Sequence, residues 1–357
     1  MQSASVQNEK ETVEPIIAER ALAVSNPLPV HYAKVFNSNP VNTFSYLTQK
    51  LLSGLKKKRK EKNTLTIRQV MKRTNQVIKY SINSELVEPD WRDENNGQIS
   101  LDGRSAQFLW FLIAKFAQEL PPQPSSADIN RNSVIIFRNS EIADIFKMTA
   151  RNARNVIADS FITLKSVIWD FNEWSKEKNA NVHYTFSPVD TKIEVEKYGY
   201  TGIRLNLEFV HYLAKTPLRE LPLSVLSLNP KRNPNSLPFA IRLISNWHIN
   251  RGREQQNKIR VTSMLEIACE IPKYEYIIEK HGRVKHRILR PFFRDMDQLV
   301  QSGIISCWYF QKPKQPQKIS PDYEKITYDE FKNYIIYYEM PDIDESKDID
   351  VVAEDKK

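Results

Sequence analysis

Residues 139–171, NSEIADIFKMTARNARNVIADSFITLKSVIWDF, hold two helix signals separated by a tight turn. Asn139, Ser140 and Glu141 open the first, because short side-chain oxygens accept the unpaired amides of a helix start. Thr149 caps the second. Along it Ile157, Phe161, Leu164 and Ile168 recur at steps of four, three and four, the spacing of one buried stripe. The stripe predicts a helix running from 150 to 171, with Arg151, Asn152 and Asn155 on the opposite face.

Outward from this pair the pattern completes itself. Upstream, LDGRSAQFLWFLIAKFAQELPP (101–122) reads as a strongly apolar helix stopped by Pro121 and Pro122, and Ser133 to Phe137 is a short β-branched stretch. Downstream, NVHYTFSP (181–188), TKIEVEKYGY (191–200) and GIRLNLEF (202–209) alternate polar and apolar residues around turn signals, as hairpins do. Helix, short helix, helix, hairpin is the order of a winged helix.

SLNPKRNPNSLP (227–238), rich in Pro and Asn, reads as a linker, after which the order repeats. FAIRLISNWHIN is an apolar helix and KIRVT an extended stretch. Ser263 with Glu266 forms a capping box that opens MLEIACEI. RVKHRILRPFFRDMDQLVQ (283–301) is a long basic helix stopped at Gly303, IISCWYFQ a strand, and KPKQPQ a wing tip. ITYDEFKNYIIYYEMP closes the unit with a short helix and an extended segment. The fold class expected is α+β, mainly helical, with two tandem winged-helix units at 98–226 and 239–340. A basic, partly disordered or helical arm (1–97) precedes them, and an acidic disordered tail (341–357) follows.

Within the arm, Lys56 to Lys79 holds ten Lys or Arg, Lys57 and Arg59 among them, against the single acid Glu61. Its second half, TLTIRQVMKRTNQVIKYSI (64–82), predicts a basic amphipathic helix suited to phosphate contact. The 357-residue chain has 52 Lys and Arg against 43 Asp and Glu, a net charge of +9, which favours a polyanionic partner. With eight glycines there is no G-x-x-x-x-G-K-S/T or G-x-G-x-x-G string, so ATPase and dinucleotide-enzyme readings lose their phosphate cradle. The longest clean apolar run, Phe108 to Ala114, is too short for a membrane span of about 20 residues. The opening residues show no secretory signal. Two cysteines, Cys269 and Cys307, suit a reducing compartment. A cytoplasmic protein associated with nucleoid or plasmid is expected.

The side chains that carry chemistry are cationic. Arg283, Arg287, Arg290 and Arg294 fall at steps of four, three and four, one helical face with Lys285 beside it, and no acid interrupts the run from His281 to Arg294. Phosphates or guanine edges would relieve their repulsion. Pro291 should kink or restart the helix, turning Arg290 and Arg294 away from Arg283 and Arg287. In the first unit Arg151, Asn152, Arg154 and Asn155 stand at a helix start, and Lys192 and Lys197 on a hairpin that serves as wing. Cys269, His281, His286 and Cys307 make a poor zinc set, since the thiols sit in an apolar helix and an apolar strand. His248–Arg251 matches only a four-letter recombinase string, and Asp295 and Asp297 face apart on a helix. No catalytic residue, metal or cofactor is expected.

The chain resembles the theta-type plasmid replication initiators, through GIRLNLEFVHYLAK, the Pro/Asn linker, FAIRLISNWHINRG, VTSMLEIACEIPKYEY and RVKHRILRPFFRDMDQLVQSGIISCWYF. The resemblance implies two recognition helices that read repeated origin sequences in double-stranded DNA, with Arg151, Asn152 and Asn155 as readers in unit one and Arg283, Arg287 and Arg290 in unit two. It further implies a non-enzymatic protein that meets the host replicative helicase and initiator, and that forms a homodimer through its first unit. A winged-helix transcriptional regulator or a helicase-loader-type interaction protein is the alternative.

Overall fold

A computed structural model describes residues 27–29, 31–46, 64–70, 77–83, 103–175, 179–195, 199–313 and 315–341. Lys57, Arg59, Lys197 and the acidic tail from 342 lie outside the described residues.

Helix α1 (Gly103–Glu119) is apolar all round and so is buried all round, with every residue from Phe108 to Ala114 at 0% exposure. Around it lie β4 (Val134–Arg138), α2 (Ser126–Asn132), α3 (Asn139–Ile145) and α4 (Ala150–Ser166). A three-stranded antiparallel sheet completes this unit, in the order β4-β8-β7, with β7 at Val189–Val195 and β8 at Tyr200–Leu205. Thr149 caps α4 as the sequence predicts, its hydroxyl accepting from the Asn152 amide at 3.3 Å. The cap expected at Asn139 to Glu141 does not form, because each side chain has a stronger claim elsewhere. The Asn139 Oδ1 accepts from the Thr201 hydroxyl at 2.7 Å, and the Glu141 carboxylate accepts from Lys115 Nζ and from the Leu28 amide, each at 3.1 Å.

Helix α4 ends at Ser166, five residues short of the predicted end. Val167–Ser175 is strand β5, whose Trp169 and Phe171 alternate inward, so Ile168 leaves the expected stripe and Phe161 is only half-buried. Strand β5 pairs with β6 (Ala180–Phe186) and with β3 (Val77–Asn83), and β2 (Thr64–Val70) forms the edge of this four-stranded sheet. The basic amphipathic helix predicted over 64–82 is therefore a hairpin. The alternation decides the matter: Ile78 and Tyr80 are buried while Lys79 between them is exposed, a period of two. The separate arm is overturned again at β1 (Tyr32–Phe36), which pairs antiparallel with β9 (Leu218–Pro222), and at residues 39–46, which are helical and bury Val41 and Phe44.

The stretch GIRLNLEF is strand only to Leu205. The Asn206 side chain then accepts from the Glu208 and Phe209 amides at 2.9 and 3.3 Å and starts α5 (Leu207–Ala214). The predicted linker is a packed corner: a 3-10 turn (Leu223–Ser227) leads to α6 (Ser236–Ile249), which takes Pro238 into its first turn. Asn235, fully buried, donates its amide and its Nδ2 to Asp295 Oδ2 at 2.9 and 2.7 Å, while its Oδ1 accepts from the amides of Cys269 and Glu270.

The second unit follows as β10 (Lys258–Arg260), α7 (Val261–Ile267), α8 (Tyr274–Glu279), a π-turn (Lys285–Leu289) running into α9 (Arg290–Gln301), β11 (Cys307–Lys312), β12 (Gln315–Ile319), α10 (Tyr328–Asn333) and β13 (Ile335–Glu339). The Ser263–Glu266 capping box is absent because α7 leaves β10 directly at Val261, and Cys269 lies beyond its end, with its thiol donating to the Tyr46 carbonyl. The sheet order is β10-β13-β11-β12. In the three-stranded sheet of the first unit β8 pairs with β4 and β7, and in this one β13 pairs with β10 and β11.

Arg219 of β9 joins the two units. It is 4% exposed, donates to Asn42 Oδ1 at 2.8 Å and to the Ser245 hydroxyl of α6, and lies over the Trp110 ring of α1 at 5.2 Å.

Candidate nucleic-acid interface

Helix α4 has two chemically different faces. Ala153, Ile157, Ser160 and Leu164 are buried, while Arg151, Asn152, Arg154 and Asn155 stand exposed on its first two turns. The capped N-terminus fixes the backbone beneath them, and the turn before it uses Lys147 at φ 49, a left-handed conformation that lets α3 and α4 pack closely. Lys192, half-buried on β7, has interactions of its own within the fold.

In the second unit Arg283, Lys285, Arg287 and Arg290 are all exposed. The Arg287 amide donates to the Arg283 carbonyl at 3.0 Å, which stacks those two side chains one turn apart. Pro291 has no N–H to give the Arg287 carbonyl. The chain answers with the π-turn, in which the Arg290 amide reaches back five residues to the Lys285 carbonyl. The extra residue in that turn breaks the phase, so the single four-arginine face predicted from the spacing is not continuous. Arg283 and Arg287 belong to one turn, and Arg290 and Arg294 to a restarted helix.

Arg294 departs further. Its Nε pairs with Asp295 Oδ1 at 2.7 Å, and Asp295 is fully buried, so this guanidinium is committed to the fold. Burial pushes the Asp295 carboxyl above its ordinary value, against the opposing pull of Arg294 and Asn235. Asp297 instead accepts from Trp308 Nε1 at 2.9 Å. The two aspartates of the D-x-D pair thus serve different structural contacts and do not converge. Lys285 Nζ donates to the Glu324 carbonyl and keeps its charge exposed. Among the described residues no carboxylate pairs with Arg151, Arg154, Arg283, Arg287 or Arg290. No cluster of three metal-ligating side chains occurs among them either.

His248 closes α6, its Nε2 bonded to the Glu220 carbonyl at 3.2 Å. The sequence does not reveal Tyr276, Lys280 and His286 beside the arginines. An aromatic residue in YEYIIE reads as core, and only the packing of α8 shows which of its faces is outside.

Fold and site together define an α+β protein in which each of two helical units exposes a cationic helix. No family model matches the chain, and no curated protein does. Among solved structures it is similar to the Pi initiator protein in complex with iteron DNA, with a TM-score of 0.49 and 10% identity, covering 88% of this chain and 99% of that one. It is also similar to a structure of domains 2 and 3 of RctB, with a TM-score of 0.41 and 10% identity, covering 84% of this chain and 98% of that one.

Proposed function

We propose that the chain is a non-enzymatic, sequence-specific double-stranded DNA-binding protein made of two tandem winged-helix units, and that it acts as the replication initiator of a plasmid or similar replicon. One observation carries the reading. The helix after the tight turn in the first unit, α4, and the π-turn that opens α9 in the second expose Arg or Asn side chains with which no carboxylate pairs among the described residues, as a groove-entering helix requires. Arg151, Asn152, Arg154 and Asn155 would read in unit one, and Arg283, Arg287 and Arg290 in unit two. Arginine suits guanine O6 and N7, and asparagine suits adenine N6 and N7, both as paired contacts. Lys285 and Lys192 would touch the backbone, as would Lys57 and Arg59. The net charge of +9 supplies the sequence-independent attraction. Recruitment of the host helicase and dimerisation through the first unit follow from the sequence resemblance.

Titration against duplex carrying the repeats beside its own gene, over a salt series, tests this. The logarithm of the affinity should fall linearly with log salt, with a slope of roughly 0.9 per phosphate contacted. The doubly substituted Arg283→Ala, Arg287→Ala protein should lose about tenfold or more of its preference over scrambled duplex, since a bidentate base contact discriminates by about 1–3 kcal/mol. Equal binding of repeats and scrambled duplex by the unaltered protein would refute a reader.

A further inference from the structure

A groove of about 500 Å3 lies between α8 and the first turn of the arginine helix, and Tyr276, Ile277, Lys280, Gly282, His286 and Arg287 line it. Its wall is rigid. Tyr274 stacks face to face on Tyr328 of α10, 4.0 Å apart and 4° from parallel, and Ile277 is buried, so α8 is held on two sides. The connecting turn is pressed against it: the Gly282 amide donates to the Ile277 carbonyl at 2.8 Å, and a Cβ on Gly282 would lie 3.0 Å from Ile277 Cγ2. His281 makes the turn at φ 50. On this fixed element the Tyr276 ring is nonetheless 55% exposed. On a helix so fixed, the side chain leaves more than half its surface in a groove that Lys280 and Arg287 also line.

We infer that this groove binds one nucleotide of the DNA backbone flanking the reader arginines, with Tyr276 packed on its sugar and Lys280 holding its phosphate. The inference rests on the DNA-binding reading above and extends it to a site with its own chemistry. Charge selects the occupant: Lys280 and Arg287 face a lining that carries the single carboxylate Glu270. Continuity selects it further, because Arg287 belongs both to the groove and to the turn that carries Arg283, so one polyanion spans both. Backbone contacts of this kind fix register on the duplex without reading sequence.

The test combines salt-series titration with phosphate-ethylation interference on the repeat duplex, using the full chain. Tyr276→Ala should weaken binding about five- to tenfold with the salt slope unchanged, as loss of an aromatic platform does, and Tyr276→Phe should bind like the unaltered protein. Lys280→Ala should lower the slope by about one and erase interference at a single phosphate. Should Tyr276→Ala and Lys280→Ala match the unaltered protein in affinity, slope and interference pattern, the groove does not hold DNA, whatever the arginines do. If the unaltered protein fails to prefer its repeats, the sequence-reading proposal falls. The same variants on scrambled duplex then decide the groove separately, because a backbone contact does not depend on sequence, and a chain that binds no duplex overturns both.

Discussion

One buried residue and one half-buried residue show how charge is handled where the units meet. Among the described residues Arg219 has no carboxylate partner, and burial pushes its guanidinium down to about 10. Arg219→Ala should destabilise the protein by about 3 kcal/mol in urea, from the cavity and from polar neighbours left unpaired. Arg219→Met, which refills the space without a charge to desolvate, should cost less than about 1.5 kcal/mol, and equal losses for both would mean that the cation itself is required. His248 is held below its ordinary imidazole value of 6.5, chiefly by burial and further by Arg219 and Arg251, against the Glu220 carbonyl that favours the charged ring. A depressed histidine leaves stability intact above pH 6.5 and loses it as pH falls from there through the folded-state value, because the unfolded chain then binds more protons. His248→Gln should therefore lose less stability between pH 7.5 and 5 than the unaltered protein. Parallel urea midpoints across that range would reject the argument. Neither residue announces itself in the sequence: Arg219 sits among ordinary surface types in TPLRELP, and only the pairing of β9 with β1 encloses it.

At the scale of elements, the arginine helix is governed by one missing hydrogen. Pro291→Ala restores an N–H for the Arg287 carbonyl and removes the need for the π-turn. The helix should then gain thermal stability while preference for the repeats drops, because Arg283 and Arg287 are rotated relative to α9. Gains in both would show that the π-turn has no part in recognition. Thr149→Ala should cost about 1 kcal/mol by uncapping α4. Helices with long apolar runs or clear caps were legible in the sequence: α1, the start of α4, the stop at Gly303, and the Trp247–His248 end of α6. Pro291 was legible as a break, though not the way the chain heals it. The end of α4 and the hairpin at 64–83 were not, because Ile, Val and Thr satisfy a loose helical spacing and a strand alternation over so few residues, and pairing with β5 decides between them. The caps at Asn139 and Ser263 failed for a related reason. A suitable residue type takes whichever partner tertiary packing brings nearest, as Asn139 does with Thr201.

For the whole molecule, a mixed α+β chain was readable, since helix starts and stops depend on punctuation by Pro, Asn and Gly. The closure of each unit was not, since it depends on strands far apart in the chain. Residues 32–36 zip onto 218–222, and residues 335–339 supply the seam between β10 and β11. Because Arg219 on β9 meets Trp110 of α1 and Ser245 of α6, the spacing of the two arginine-bearing helices should be rigid. Adding five base pairs between repeat halves should abolish paired protection in a footprint, and undiminished protection would show that the units move independently. The place of β13 also bears on synthesis. A nascent chain stalled before Ile335 owns every helix of the second unit and both strands of its β11–β12 hairpin, yet it lacks the slat that unites β10 with β11. That half stays unzipped, and open to capture by chaperones or proteases, until β13 has been made.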